Sequence, residues 1–270
     1  NDIINPRWSV KNSQGGQVTN RIFGTAQLNY EYNDNLTFTY RYGLDWYNER
    51  NTAYSNKDGV NFNQAIFGYL DTWDNNVSVS THYASVNGNY DLSDEVGMSF
   101  VVGATSQNRS YDREGVANSG QIVFGVLQSF NFENQTPISY HGSQNTVGVF
   151  ASADLDYNDY LFVTLSARND WVSNLPTENN SMFYPSMSVA FLPTAANPDM
   201  KSDNLSYLKV RAGYGTSAGY PSPYSTRNVL AQSARAFDVG GAVTATHAVS
   251  NNLGNPNLKP ELHGEAEFGV

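Results

Sequence analysis

Leu36-Thr37-Phe38-Thr39-Tyr40-Arg41-Tyr42-Gly43-Leu44-Asp45-Trp46 decides the architecture. Read in steps of two, Leu36, Phe38, Tyr40, Tyr42, Leu44 and Trp46 fall on one side of a strand. Thr37, Thr39, Arg41, Gly43 and Asp45 fall on the other. Side chains alternate across a strand, so the segment has one face for an apolar medium and one for water, with Arg41 and Asp45 on the wet side. Its length distinguishes it from a strand of a soluble sandwich, which is about half as long. Eleven residues at ~3.3 Å each, tilted by ~45°, rise by about 25 Å, the height of the apolar band on a transmembrane barrel.

Ile22 to Tyr32 repeats the pattern in the same phase, with Ile22, Ala26, Leu28, Tyr30 and Tyr32 opposed by Thr25, Gln27, Asn29 and Glu31. Asn33-Asp34-Asn35 links the two runs as a hairpin turn, so the strands are antiparallel neighbours with matched apolar faces. Tyr30, Tyr32 and Phe38 are then expected to cluster near the turn and Trp46 to mark the far margin. Amphipathic rings at both margins of an apolar band suit a bilayer interface.

Further alternating runs appear at about 79–90, 96–106, 146–157, 161–171, 183–191 and 207–215, and a ninth begins at Gly264 and is still running at Val270. The links at 33–35, 91–95 and 158–159 are short, whereas 47–78, 107–145, 172–182 and 216–263 are long; 192–206 is intermediate. Short turns on one rim and long loops on the other give the polarity of an outer-membrane barrel, periplasmic and extracellular respectively. Within 47–78, Asp58-Gly59 reads as an exposed turn.

Composition narrows the function classes. No run approaches the ~20 apolar residues of a membrane helix, and a mean hydropathy of -0.47 is compatible with a barrel whose alternate residues are polar. With 25 acidic and 15 scattered basic residues the net charge is -10, so nucleic acid is not an expected partner. The 270 residues contain no cysteine, which removes disulfides and thiolate metal sites. Asn1 to Asn20 reads as polar loop without an export leader, and the whole of 1–270 reads as part of a larger polypeptide.

Five motifs then occur in a telling order: Asn5-Pro6-Arg7-Trp8, Arg168-Asn169-Asp170-Trp171, Phe183-Tyr184-Pro185-Ser186, Leu208-Lys209-Val210-Arg211-Ala212-Gly213-Tyr214-Gly215, and Gly254-Asn255-Pro256-Asn257-Leu258-Lys259-Pro260-Glu261. Together they resemble the barrels of TonB-dependent outer-membrane transporters, most of all the SusC/RagA branch. The resemblance implies an all-β fold in which this chain is an antiparallel transmembrane segment of about nine strands, within a barrel of about 22 strands that encloses a plug. It further implies the outer membrane of a Gram-negative, Bacteroidetes-like cell, energy from the TonB complex, a SusD-like surface lipoprotein, and glycans or peptides as cargo. No enzyme activity and no cofactor are expected. The alternatives are an outer-membrane barrel enzyme or surface adhesin, and a soluble carbohydrate-binding β protein.

Candidate site residues follow from this frame. Arg41, Asp45, Arg168, Asp170, Lys209 and Arg211 are expected to face the lumen, because Arg or Lys on the lipid face near the midplane costs ~2–4 kcal/mol. Tyr69, Trp73, Tyr220 and Tyr224 fall in the long loops, where their rings suit stacking on sugar rings or peptide side chains, or packing the loops together or against a lipoprotein. Asp154 and Asp156 beside Asp159 have the oxygen chemistry of a hard-cation site; the simpler reading is a water-facing acidic rim. Gly215-Thr216-Ser217-Ala218-Gly219 fits the nucleophile elbow, but Tyr220-Pro221-Ser222-Pro223 is a poor start for the helix that motif needs. His82, His141, His247 and His263 lack metal-ligand spacing and read as solvated loop or strand-end residues.

Overall fold

The computed structural model describes residues 5–60, 63–239, 242–249 and 252–270, with side chains 231–245 left aside. A short helix α1 (Pro6–Asn12) leads into strands β1 (Ser13–Asn33) and β2 (Leu36–Ser55). Helix α2 (Asn63–Phe67) precedes β3 (Tyr69–Ser93), β4 (Val96–Gln121), β5 (Phe132–Tyr157), β6 (Leu161–Val172) and β7 (Ser181–Phe191). After α3 (Pro193–Ala196) come β8 (Val210–Gly219), β9 (Leu230–Val239), β10 (Ala242–Val249) and β11 (Glu261–Gly269). Nine of these form one antiparallel sheet in the order β1-β2-β3-β4-β5-β6-β7-β8-β11, while β9 and β10 pair separately as a hairpin. The nine-stranded meander expected from the alternation is therefore present, and its end strands β1 and β11 do not pair with each other.

The register turns period-two patterning into faces. Ala153 opposes Leu165, Leu165 opposes Met187, Met187 opposes Tyr214 and Tyr214 opposes Ala266, an apolar row across five strands. One residue along, Asp154, Thr164, Ser188, Gly213 and Glu267 form a polar row on the opposite face. A one-residue slip would exchange the faces, so this register is what keeps the apolar set together. The apolar rows are not covered by protein: Leu28 is 68% exposed, Leu165 47% and Met187 49%. Patches of this extent mark a surface made for another apolar phase or partner.

The tight turns close with side-chain acceptors. Asn33 Oδ1 accepts from the backbone N–H of Asn35 (2.9 Å) and Leu36 (2.8 Å), and Ser93 Oγ accepts from Glu95 (3.2 Å) and Val96 (3.1 Å). In the third turn Asn158 (φ 49°) and Asp159 (φ 58°) adopt the left-handed conformation that Asn and Asp tolerate best, and Asp156 Oδ1 accepts from Asp159 N at 3.0 Å. Tyr30 and Tyr32 both approach Phe38, at ring distances of 6.3 and 6.5 Å, the cluster expected beside the first turn.

On the other rim the sequence reading needs correction. Most of the long links are strand: β2 to β5 continue well past the expected ends, leaving only 56–68 and 122–131 outside the strands. Alternation is lost there because neither face is apolar, so periodicity gives no signal even though the backbone ladder continues. The segment expected to be loop before Asn20 is α1 and the start of β1. Asn5 caps that helix through Oδ1 to Arg7 N at 3.0 Å, with Pro6 in its first turn. Conversely, β8 begins at Val210 rather than Tyr207, since the Leu208 N–H is taken by Thr194 Oγ1 (3.0 Å) and Ser202 bridges Leu205.

The chain divides into two compact units: Asn1–Ala26, Gly43–Ser80 and Asn108–Ser143 form one; Gln27–Tyr42, Thr81–Gln107 and Gln144–Val270 form the other. The first has an interior of side-chain amides. Asn56 Oδ1 accepts from Gln121 Nε2 (3.0 Å) and Gly125 N (3.2 Å), while its Nδ2 reaches Asn12 Oδ1 (3.3 Å). Asn131 spans Val123 and Val126, donating to their carbonyls at 2.7 and 2.9 Å and accepting from Val123 N at 3.0 Å. Asn12, Asn56, Gln121 and Asn131 are all buried, which is tolerable because these amides are paired. The Asp58-Gly59 turn belongs to this unit and is not a free tip: Lys57 N donates to Gln121 Oε1 at 2.9 Å, and a Cβ on Gly59 would lie 2.7 Å from the Trp8 ring.

Candidate functional site

The polar face of the second unit carries an ordered ladder of rings and guanidinium groups. Arg41 on β2 lies with Cζ 5.5 Å from the Tyr83 ring centroid on β3. Tyr83 stacks on Phe150 of β5 at 5.7 Å, and Arg168 of β6 covers Phe150 at 5.7 Å. Strand β4 lies between β3 and β5, so the two rings meet only because β4 presents Gly103, where a Cβ would stand 2.6 Å from Phe150 Cζ. Cation–π contacts of this kind contribute about 0.5–1 kcal/mol when exposed and ~2 kcal/mol when desolvated. Arg168 is further held by Thr105 Oγ1 (2.7 Å) and lies 2.7 Å from Asp170 Oδ1, though without hydrogen-bond alignment. Gly148 supplies the room for that pair, since any Cβ there would collide with both side chains. Arg41 donates Nε to Gln27 Oε1 at 2.8 Å.

The six charged residues expected to face a lumen thus separate. Arg41 and Asp45 do not pair with each other; Arg21 takes Asp45 in a two-point contact at 2.8 and 2.6 Å. Arg168 and Asp170 are brought together. Lys209 precedes β8, yet with Arg211 it lines a concavity of the polar face opposite Asp91, Asp154, Asp156 and Glu267. Thr164 Oγ1 donates to Asp154 Oδ1 at 2.5 Å, an ordinary use of that carboxylate. Among the described residues no cluster of His, Cys, Asp and Glu could hold a metal ion. Sequence reasoning missed Tyr83, Phe150 and Gly103, whose only signal is an aromatic or a glycine at a position phased with polar neighbours.

Of the aromatic loop candidates, Tyr69 and Trp73 are corrected to strand positions in β3, because β3 begins ten residues before its alternation becomes legible. Burial, then the Asp71 charge, pushes the Tyr69 phenol up; burial also raises the Asp71 carboxyl, against a hydrogen bond from the Asn118 backbone. Tyr220 and Tyr224 do lie in the loop after β8. Tyr224 is exposed at φ 65°, whereas the Tyr220 hydroxyl is buried without a hydrogen-bond partner and its phenol is raised by burial and by Asp170. Asn174 Nδ2 ties that loop down at the Pro221 carbonyl, 2.9 Å away.

Ser217 sits inside β8, directly opposite His263 in β11, whose Nε2 is 3.7 Å from Glu261 Oε2. No strand-turn-helix surrounds it and Ser217 makes no hydrogen bond to His263, so the elbow motif is strand sequence. Two of the four histidines are corrected to mid-strand positions, His82 in β3 with Nδ1 2.8 Å from Tyr40 Oη and His141 in β5 against Asp112, while His247 and His263 lie near the ends of β10 and β11 as expected.

The family described as TonB dependent receptor-like, beta-barrel matches residues 1–270. The chain belongs to that family. Over 283 residues it is 26% identical to TonB-dependent receptor P3 of Formosa agariphila, covering 100% of this chain and 27% of the relative. The chain therefore spans about a quarter of the curated relative that it matches. A structure of the RagAB peptide transporter superposes with a TM-score of 0.82 at 14% identity, covering 97% of this chain and 29% of that one. The RagAB peptide importer in the open-open state gives 0.81 at 15%, over 98% and 28%. The ferric preacinetobactin receptor BauA of Acinetobacter baumannii gives 0.54 at 16%, over 95% and 36%. At these identities the structures establish a shared fold, a run of strands from a TonB-dependent receptor barrel.

Proposed function

We propose that this chain supplies nine strands of the wall of an outer-membrane, TonB-energised transporter that imports a bulky nutrient, a glycan or a peptide, with a SusD-like surface lipoprotein. The observation that carries the reading is the sheet itself: nine neighbouring antiparallel strands with an exposed apolar face and a polar face bearing Arg41, Arg168, Asp170 and Arg211. Family membership supports uptake as the activity, and the similarity to RagAB supports the lipoprotein and the peptide option. The polar face is the lumen, the tight turns at 34–35, 94–95 and 158–160 are periplasmic, and the opposite ends of the strands are extracellular. Tyr224 and Trp73 are the aromatic residues we assign to cargo or lipoprotein contact. Tyr69, whose phenol is pushed up by burial, and Tyr220, whose hydroxyl is buried, serve instead to set the strand end and loop that present them.

Loss of the parent gene should abolish growth on one macromolecular nutrient, and loss of TonB should do the same while leaving the parent protein in the membrane. Binding to cells that persists in the TonB-null strain while uptake stops is the expected pattern. Uptake that continues without TonB, or a parent gene that encodes no plug, would overturn the assignment.

A further inference from the structure

Three guanidinium groups are held in defined positions. Arg21 grips the Asp45 carboxylate at 2.6 and 2.8 Å, and Arg168 lies 2.7 Å from Asp170. Arg41 is held by its Nε donation to Gln27 Oε1 (2.8 Å) and by the Tyr83 ring under its Cζ, but no carboxylate meets it among the described residues. A guanidinium has five N–H donors in a rigid fork, and the one that Gln27 takes is at Nε; among the described residues no acceptor meets the Nη groups. The side chain is exposed, so the open edge of the fork is accessible. Two fixed contacts remove most of the rotamer freedom that binding would otherwise cost, which is the condition for a preorganised anion site. Planar two-point recognition favours a carboxylate, the ligand the other two guanidinium groups already have.

We propose that Arg41 is a carboxylate-docking point on the polar face, oriented by Gln27 and Tyr83. The carboxylate comes either from a free ligand, such as acidic cargo, or from an acidic side chain of the parent polypeptide. The site does not depend on the transport reading; only the cargo source does.

The test uses the intact parent protein in detergent and measures the rate at which phenylglyoxal modifies Arg41, by mass spectrometry, with exposed Arg109 as reference. Reactions contain either glutarate or chloride at equal ionic strength. A free-ligand site gives fast modification of Arg41 that glutarate slows severalfold while Arg109 is unaffected. An internal carboxylate gives slow modification in both salts and a lower unfolding temperature for Arg41→Gln than for Arg41→Lys, which keeps the charge. Fast modification that glutarate does not slow, or slow modification with no change in unfolding temperature for Arg41→Gln, overturns the proposal. Because glutarate is the probe, a failure here is distinct from a failure of the uptake assignment.

Discussion

A side chain at position 103 would place its Cβ 2.6 Å from the Phe150 ring and from the Ala84 carbonyl oxygen. Gly103→Val therefore has to push Phe150 off Tyr83, and overpacking of this kind costs about 1–3 kcal/mol. Gly16→Ala, with nothing within 4 Å of its Cβ, is the matched control and should be neutral; urea unfolding of the parent in detergent distinguishes the two. A pH dependence belongs to Asp71. Its folded carboxyl is raised above the ordinary value, so the fold favours the protonated form: the stability it contributes is complete below the unfolded pKa and is lost as pH rises through the raised one. Asp71→Asn keeps the acceptor for the Asn118 backbone and should raise the unfolding temperature at pH 7, with the gain vanishing toward pH 3. An equal gain at both pH values would assign the effect to something other than ionisation. Residue by residue, the polar-face charges are legible in the sequence because a charge out of phase with apolar neighbours is conspicuous. The pairing is not, since Arg21 reaches Asp45 from a neighbouring strand and only the register decides which guanidinium lies opposite which carboxylate.

Elements are legible wherever one face is apolar. Leu36 to Trp46 and Leu161 to Trp171 can be read from sequence because their alternation is a consequence of having two solvents. The outer halves of β3, β4 and β5 cannot: runs such as Gln107 to Gln121 carry polar residues at both phases, and their strand order depends on pairing with neighbours rather than on local pattern. The same distinction decides where an epitope can sit. An epitope placed at Asn56 to Gly59 would break the buried amides around Asn56, whereas Thr177 and Glu178 are exposed between β6 and β7. On the proposed orientation, an epitope between Thr177 and Glu178 is accessible to antibody on whole cells and one between Asn158 and Asp159 is not. Equal labelling of the two would overturn the orientation.

For the whole molecule, the two faces make the sharpest demand. Spin labels at Phe38 and Thr39 of the intact parent, adjacent in sequence and opposite in phase, should report lipid and water respectively; the reverse result would invert the wall. The expected strand number, plug and partner rest on family resemblance and on no residue of the chain. The amide interior of the first unit bears on how such receptors diversify. Asn12 from the end of α1, Asn56 after β2, Gln121 at the end of β4 and Gly125 beyond it share one hydrogen-bond set, so these segments are coupled although they are far apart in sequence. Exchanging one of them alone with a relative would strand the others' buried amides, each at about 1–3 kcal/mol. Recombination between receptors should therefore succeed when 5–12, 56–60 and 121–131 travel together as a cassette, and chimaeras that divide them should be recovered rarely or with compensating changes at those amides.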